Sequence, residues 1–311
     1  MKNLPKIALG AWAWGNDGTF GGSLSADTLR PIFDTAMQNG LNLWDTAYAY
    51  GMGTSEKVLA DFVAGCEEGS CLVSDKFTPQ CADPAGPTAF KDMIEMQLEL
   101  MKLSHFDIYW IHNVWDAPKW TQEMAKYFEG KDHVPILGVS NHNLAEIKEA
   151  NEILKAHGLK LGAVQNHYSL INRSSEESGI LDYCKENDII FFSYMVLEQG
   201  ALSGKYDREH PMPAGSARAE TYNPVLDKIE ILNAALQKLA DKYEVAVAQI
   251  PVAWAIAKGT LPIIGVTKEK HVEDAVKAAS ITLSAEEVAQ LEQTADTLNI
   301  NAIRFWEKEM K

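Results

Sequence analysis

The chain has 311 residues, 46% of them hydrophobic, and a formal net charge of −15. Its length suits two ordinary domains or one large barrel, and lysines and arginines scattered among acids argue against nucleic-acid and acidic-membrane partners. The N-terminus has no signal-like apolar region, the longest apolar run (245–257) is broken by Gln249 and Pro251, and Cys66, Cys71, Cys81 and Cys184 form no CxxC pair. A soluble cytoplasmic protein with reduced thiols, no membrane segment and no metal site is therefore expected.

From the N-terminus onward, short β-rich apolar runs alternate with stretches of helical period, which is the signature of βα units around a parallel sheet. The runs fall at 7–9, 41–44, 71–76, 106–111, 136–139, 162–165, 189–194 and 261–266. Between them the pattern predicts helices that include 28–39, 55–64, 89–102, 144–157 and 180–186. Ser25 and Asn143 are the expected N-caps, and Gly40 and Gly158 stand where a helix end wants a left-handed residue. The longest irregular stretch, 207–224, follows the seventh strand and is expected to cover a ligand. An additional C-terminal helix at 284–298 precedes a tail. No linker divides the chain, so residues 1–311 are expected to form a single (β/α)8 TIM barrel domain, with a doubly wound open sheet as the alternative.

Two phosphate-loop lookalikes fail on inspection. Gly51-Met52-Gly53-Thr54-Ser55-Glu56 has Glu56 where a dinucleotide fingerprint needs its third glycine. The stretch from Gly200 to Tyr206 is one residue short of a Walker loop and ends on Tyr206 instead of Ser or Thr. Asn172-Arg173-Ser174 matches a glycosylation acceptor, but it would need a secretory route that nothing else supports.

Reacting groups in a barrel come from the C-terminal tips of its strands. There the sequence places Asp45, Tyr50, Lys76 and His112. Taken singly, each has an ordinary structural use; together they compose an acid for carbonyl reduction. A lysine ammonium would lower the tyrosine pKa, Asp45 would hold Lys76 charged, and His112 would face the substrate oxygen from the other side. Hydride must come from a cofactor.

These residues resemble the aldo-keto reductases. Asp45-Thr46-Ala47-Tyr48-Ala49-Tyr50-Gly51 with Gly53, Ser55 and Glu56, then Ser74-Asp75-Lys76-Phe77, then Asp107 to His112, are similar to that family's motifs in the same order. The resemblance covers nearly the whole chain and implies the catalytic tetrad Asp45, Tyr50, Lys76 and His112. It also implies NADP(H) bound without a Rossmann domain.

By the same resemblance, Ser140, Asn141 and Gln165 would hold the nicotinamide carboxamide, with Asp45 beside them, and Tyr194 would stack on the ring. Gly10, Ala11 and Trp12 would form the first-strand turn beside the cofactor, and Leu197, Gln199 and Leu202 would lie under the pyrophosphate. Ile264, Gly265, Val266, Thr267, Lys268, His271 and Asp274 would form the 2′-phosphate end, which favours NADPH. Met195 and Val196 replace the proline usual after the stacking tyrosine, and Ala275 replaces an asparagine. Trp14, Tyr48, Phe77 and Trp115 are expected to wall the pocket for a small carbonyl substrate, with Phe305 or Trp306 of the tail as further candidates. The expected assembly is a monomer or small homo-oligomer. Two other readings stay open: an NADP(H)-binding sensor with little turnover, and a Schiff-base aldolase-like barrel using Lys76.

Overall fold

A computed structural model describes residues 4–20, 23–301, 303, 307, 308 and 310. Eight parallel strands close into a barrel in sequence order: β1 (Ala8–Gly10), β2 (Leu43–Asp45), β3 (Leu72–Phe77), β4 (Ile108–Ile111), β5 (Ile136–Ser140), β6 (Leu161–His167), β7 (Ile190–Tyr194) and β8 (Leu261–Gly265). Closure is made by β1, where Gly10 pairs with Asp45 on one side and Gly265 on the other. The open-sheet alternative is thereby excluded.

Strand alternation divides the apolar residues into two sets. Ala8, Leu43, Leu72, Ile108, Trp110, Ala163, Phe192 and Leu261 pack together inside the barrel. Their neighbours, such as Leu9, Trp44, Val73, Tyr109, Val139 and Val164, face the surrounding helices in a larger core. The interior is tight at Gly138: a Cβ there would lie 2.3 Å from the Trp110 ring.

Five helices follow the first five strands: α1 (Ala26–Gln38), α2 (Thr54–Val63), α3 (Ala89–Met101), α4 (Ala117–Phe128) and α5 (Leu144–Ala156). The short α6 (Ser174–Glu177) and α7 (Ile180–Glu186) follow β6. Ser25 caps α1, and Asn143 caps α5 in a capping box with Glu146. Gly40 and Gly158 take φ of 73° and 70° after their helices.

Beyond β7 come α8 (Ala217–Tyr222), α9 (Leu226–Tyr243) and α10 (Gln249–Ala257), and β8 is followed by α11 (Glu269–Ser280) and the additional α12 (Ala285–Leu298). The stretch 207–224 is less irregular than its composition suggests. It contains α8, and Met212, Ala219 and Tyr222 bury themselves against Ala201, Tyr206, Leu226 and Ile229. The apolar run 245–257 is largely the buried helix α10 rather than anything longer. Among the described residues, no helix is long and apolar enough to cross a membrane.

Candidate active site

The same alternation that fills the barrel decides what stands at its mouth. Counting by twos along β3 from Leu72 leads through Ser74 to Lys76, and along β4 from Ile108 through Trp110 to His112. Asp45 is likewise two residues from Leu43. The interior therefore ends in polar groups, linked from below: the Trp110 indole donates to Ser74 Oγ at 2.7 Å, and Ser74 Oγ donates to Asp45 Oδ1 at 2.7 Å.

Lys76 is fully buried, and its Nζ donates to Asp45 Oδ2 at 2.5 Å, to the Thr46 carbonyl at 2.7 Å and to the Tyr50 hydroxyl at 3.2 Å. Burial pulls the lysine pKa down, but Asp45 and then Tyr50 more than reverse this, so the ammonium is held above its ordinary value. The tyrosine departs from expectation. Burial pushes its pKa up more strongly than the Lys76 charge draws it down, so the phenol stays protonated. His112 packs edge-on to Tyr50 with ring centroids 5.8 Å apart. Burial, then the Lys76 charge, lowers its pKa to about 3, leaving a neutral imidazole whose Nδ1 pairs with Thr78 Oγ1 at 2.7 Å.

A cleft of about 790 Å³ opens over this group, within the range of pockets that engulf small ligands. Asp45, Tyr50 and His112 lie on its lining with Ser140, Asn141, Gln165 and Tyr194 at the tips of β5 to β7. Gln165 Nε2 leans on Asp45 Oδ1 at 3.3 Å. Asn141 takes a left-handed φ of 65°, which asparagine tolerates, and this turns its amide back to the His112 carbonyl at 3.1 Å. Beside Tyr50, Trp12 stacks at 5.6 Å and Phe20 meets Trp12 edge-on at 5.1 Å.

The far end of the cleft collects cations. Gly10, the strand neighbour of Asp45, lines the cleft beside the tetrad, and Leu197, Gln199, Ile264, Gly265, Thr267, Lys268, His271, Asp274 and Ala275 line it as well. His271 accepts from the Thr267 amide at 3.2 Å, and burial followed by the neighbouring Lys268 lowers its pKa. Lys205 and Arg218 also line the cleft, and sequence reading missed both. Arg218 Nε is buried and has no hydrogen-bond partner among the described residues, while its Nη1 reaches the Gln199 carbonyl at 3.4 Å. The residues present thus fit a dinucleotide: amide donors and acceptors beside the tetrad, cations at the other end.

Several expected contacts lie elsewhere. Ala11, Leu202 and Val266 are fully buried in the core and do not line the cleft. The four expected pocket walls are also absent from it. Trp14 packs on Trp44 and Phe62 and donates its indole N–H to the Val266 carbonyl at 2.8 Å. Phe77 alternates with Lys76, so it faces outward onto Phe90 and Trp120. Tyr48 is half-buried against Gly53, and Trp115 is 57% exposed. Their places are taken by Trp12, Phe20, Leu24 and Asn113. Phe305 and Trp306 lie outside the described residues.

Comparison with known proteins agrees with this architecture. The chain is 31% identical over 94% of its length to the chloroplastic pyridoxal reductase of Arabidopsis thaliana, covering 84% of that protein. Its fold superimposes on the glycerol dehydrogenase AKR11B4 from Gluconobacter oxydans with a TM-score of 0.82 and 23% identity, covering 97% of this chain and 94% of that one. An aldo-keto reductase from Klebsiella pneumoniae, solved in complex with NADPH, gives 0.74 and 23%, covering 98% and 95%. The model of the Aldo/keto reductase family matches residues 6–296, and the chain belongs to that family of oxidoreductases.

Proposed function

We propose that this chain reduces the carbonyl of an aldehyde or ketone with NADPH, Tyr50 giving the proton to the carbonyl oxygen. One observation carries the reading: the cleft-lining Tyr50 hydroxyl lies 3.2 Å from an ammonium that is itself fixed 2.5 Å from Asp45. When bound, NADPH supplies hydride to the carbonyl carbon. The chain does the rest.

As Tyr50 releases its proton, charge develops on the phenol oxygen, and Lys76 is already placed against it in surroundings that screen poorly. Asp45 keeps the lysine charged and aimed. In the tautomer whose Nδ1 accepts from Thr78, the neutral His112 carries its proton on Nε2, where it is a donor for the substrate oxygen. Ser140, Asn141 and Gln165 are assigned to the carboxamide and Tyr194 to the ring face. Lys205, Arg218 and Lys268 are assigned to the phosphates, with Thr267 and His271 beside the 2′-phosphate.

The NADPH complex of the Klebsiella pneumoniae relative supports this choice of cofactor. The pyridoxal reductase relative and the aromatic pair Trp12–Phe20 make aromatic aldehydes the first substrate class to assay. A Schiff-base role for Lys76 is disfavoured, because that chemistry wants a depressed pKa and Asp45 raises it. The test is protein-fluorescence titration with NADPH and NADH, followed by loss of reduced-nicotinamide absorbance on adding aldehydes and ketones. Selective NADPH binding with carbonyl-dependent oxidation supports the reductase. Tight binding without oxidation of any carbonyl supports the sensor instead.

A further inference from the structure

Behind the cleft wall, β6 and β7 carry His167 and Tyr194 as register partners, with their rings stacked 5.6 Å apart at 28°. His167 is buried between two carboxylates: Nε2 lies 2.7 Å from Glu198 Oε1, and Nδ1 lies 2.9 Å from Glu307 Oε2. Burial alone would lower the imidazole pKa, but Glu198 and then Glu307 lift it to about 10; the Asn172 side-chain amide also lies 2.9 Å from Nδ1, beside the Glu307 carboxylate. Tyr222 and Ser169 give their hydroxyls to Glu198 from the other side.

Glu307 belongs to the C-terminal tail, yet its side chain is only 2% exposed. Its neighbours pin it there. Lys308 forms an ion pair with Glu146, and Met310 is buried with its sulfur 3.7 Å from Asn166 Nδ2. The tail is thus tied across the tips of β5 to β7, and Glu307 Oε1 stands 3.0 Å from the Tyr194 hydroxyl.

That hydroxyl also donates to Asn141 Oδ1, while Asn141 Nδ2 is given to the His112 carbonyl and Ser140 Oγ. A phenol has one proton, and here it has two acceptors. Asn141 Oδ1 is the nearer acceptor and the Glu307 carboxylate, at 3.0 Å, is the charged one, able to keep the proton when the amide oxygen is claimed by another donor.

We infer that Glu307 is a positioning residue, which accepts the Tyr194 hydroxyl and so releases Asn141 Oδ1 to receive the carboxamide of the nicotinamide cofactor. This rests on the cofactor site proposed above. Without Glu307 the phenol has, among the described residues, only Asn141 to accept its proton, and it competes with the incoming amide. The tail thereby tunes nucleotide affinity without touching the nucleotide.

The test is a double-mutant cycle on NADPH binding, with Glu307→Ala, which removes the acceptor, made in the wild-type protein and in Tyr194→Phe. The expected result is a roughly ten-fold weaker Kd in the wild-type background and a change under about two-fold in the phenylalanine background, where no hydroxyl is left to hold. Equal losses in both backgrounds would mean that the tail acts by packing alone, and no loss in either would remove Glu307 from the site; both outcomes overturn the inference. Thermal unfolding of the same four unliganded proteins reads the pair a second way, non-additive shifts in Tm supporting it and additive ones opposing it. If the wild-type protein binds no nicotinamide nucleotide, the functional reading falls and takes this inference with it, a result distinct from binding with uncoupled losses.

Discussion

Lys76 and Asp45 form an ion pair of 2.5 Å with side chains 0% and 5% exposed. A buried charge left alone is costly, so the pair is held together by burial itself. The only hydroxyl that the lysine contacts beyond it among the described residues is that of Tyr50. Tyr50→Phe should therefore remove the proton donor while barely changing volume. Carbonyl reduction is expected to fall by about 10²–10⁴-fold, with NADPH affinity held within about two-fold. Steady-state kinetics and fluorescence titration together check this; turnover retained in the phenylalanine variant would refute the role of Tyr50.

The pH dependence of reduction follows from two shifts of opposite direction. Tyr50 must donate, and its pKa is raised above the ordinary tyrosine value, so its protonated form persists through alkaline pH. His112 must remain neutral, and its pKa is lowered to about 3. Neither group titrates between about pH 5 and about pH 9, so kcat for reduction should be flat across that window. A limb inside it would assign the proton transfer to another group.

Phosphate recognition should divide between two cations. Lys268→Ala is expected to weaken NADPH by about five- to ten-fold and leave NADH within about two-fold, because only the former carries the 2′-phosphate. Arg218→Ala should weaken both nucleotides alike, if its unpartnered Nε serves the pyrophosphate that they share. Titration of each variant with both nucleotides separates these outcomes, and equal weakening by Lys268→Ala would move the 2′-phosphate site elsewhere.

Barrel stability should be sensitive at Gly138. An added methyl would meet Trp110 ring carbons at 2.3 and 2.4 Å, and that indole is fully buried and bonded to Ser74. Gly138→Ala should cost about 1–3 kcal/mol by overpacking, read as a lower Tm, and should disturb the Ser74–Asp45 link that lies under the tetrad. Unchanged stability would show that the indole can yield.

The sequence announces this site where alternation and a strand tip coincide. Asp45, Lys76, His112, Ser140, Gln165 and Tyr194 all lie within two residues of the ends of strands whose apolar pattern is strong, and all eight strands begin and end within two residues of their expected bounds, β2 and β4 each starting two residues late. The misread aromatics follow from the same geometry. Phe77 is one residue from Lys76, and a period of two sends it to the opposite face. Trp14 sits in a 3₁₀ turn, Trp12–Gly15, where no such period applies, and it turned inward while Trp12 took the cleft. Lys205, Arg218 and Glu307 had no local signal. They reach the site from a long connection and a tail, and only tertiary packing brings them there.

Gly10 is hydrogen-bonding neighbour to Asp45 on one side and to Gly265 on the other, so the cleft draws its lining from residue 10 through residue 275. During synthesis this makes ligand capture a late event. A nascent chain that has not yet released β8 has its tetrad residues but neither the Thr267–His271 loop nor the final pairing that holds β1 in place. On the proposed function, nucleotide binding would require a finished barrel, and any fragment ending before β8 should fail to bind the nucleotide.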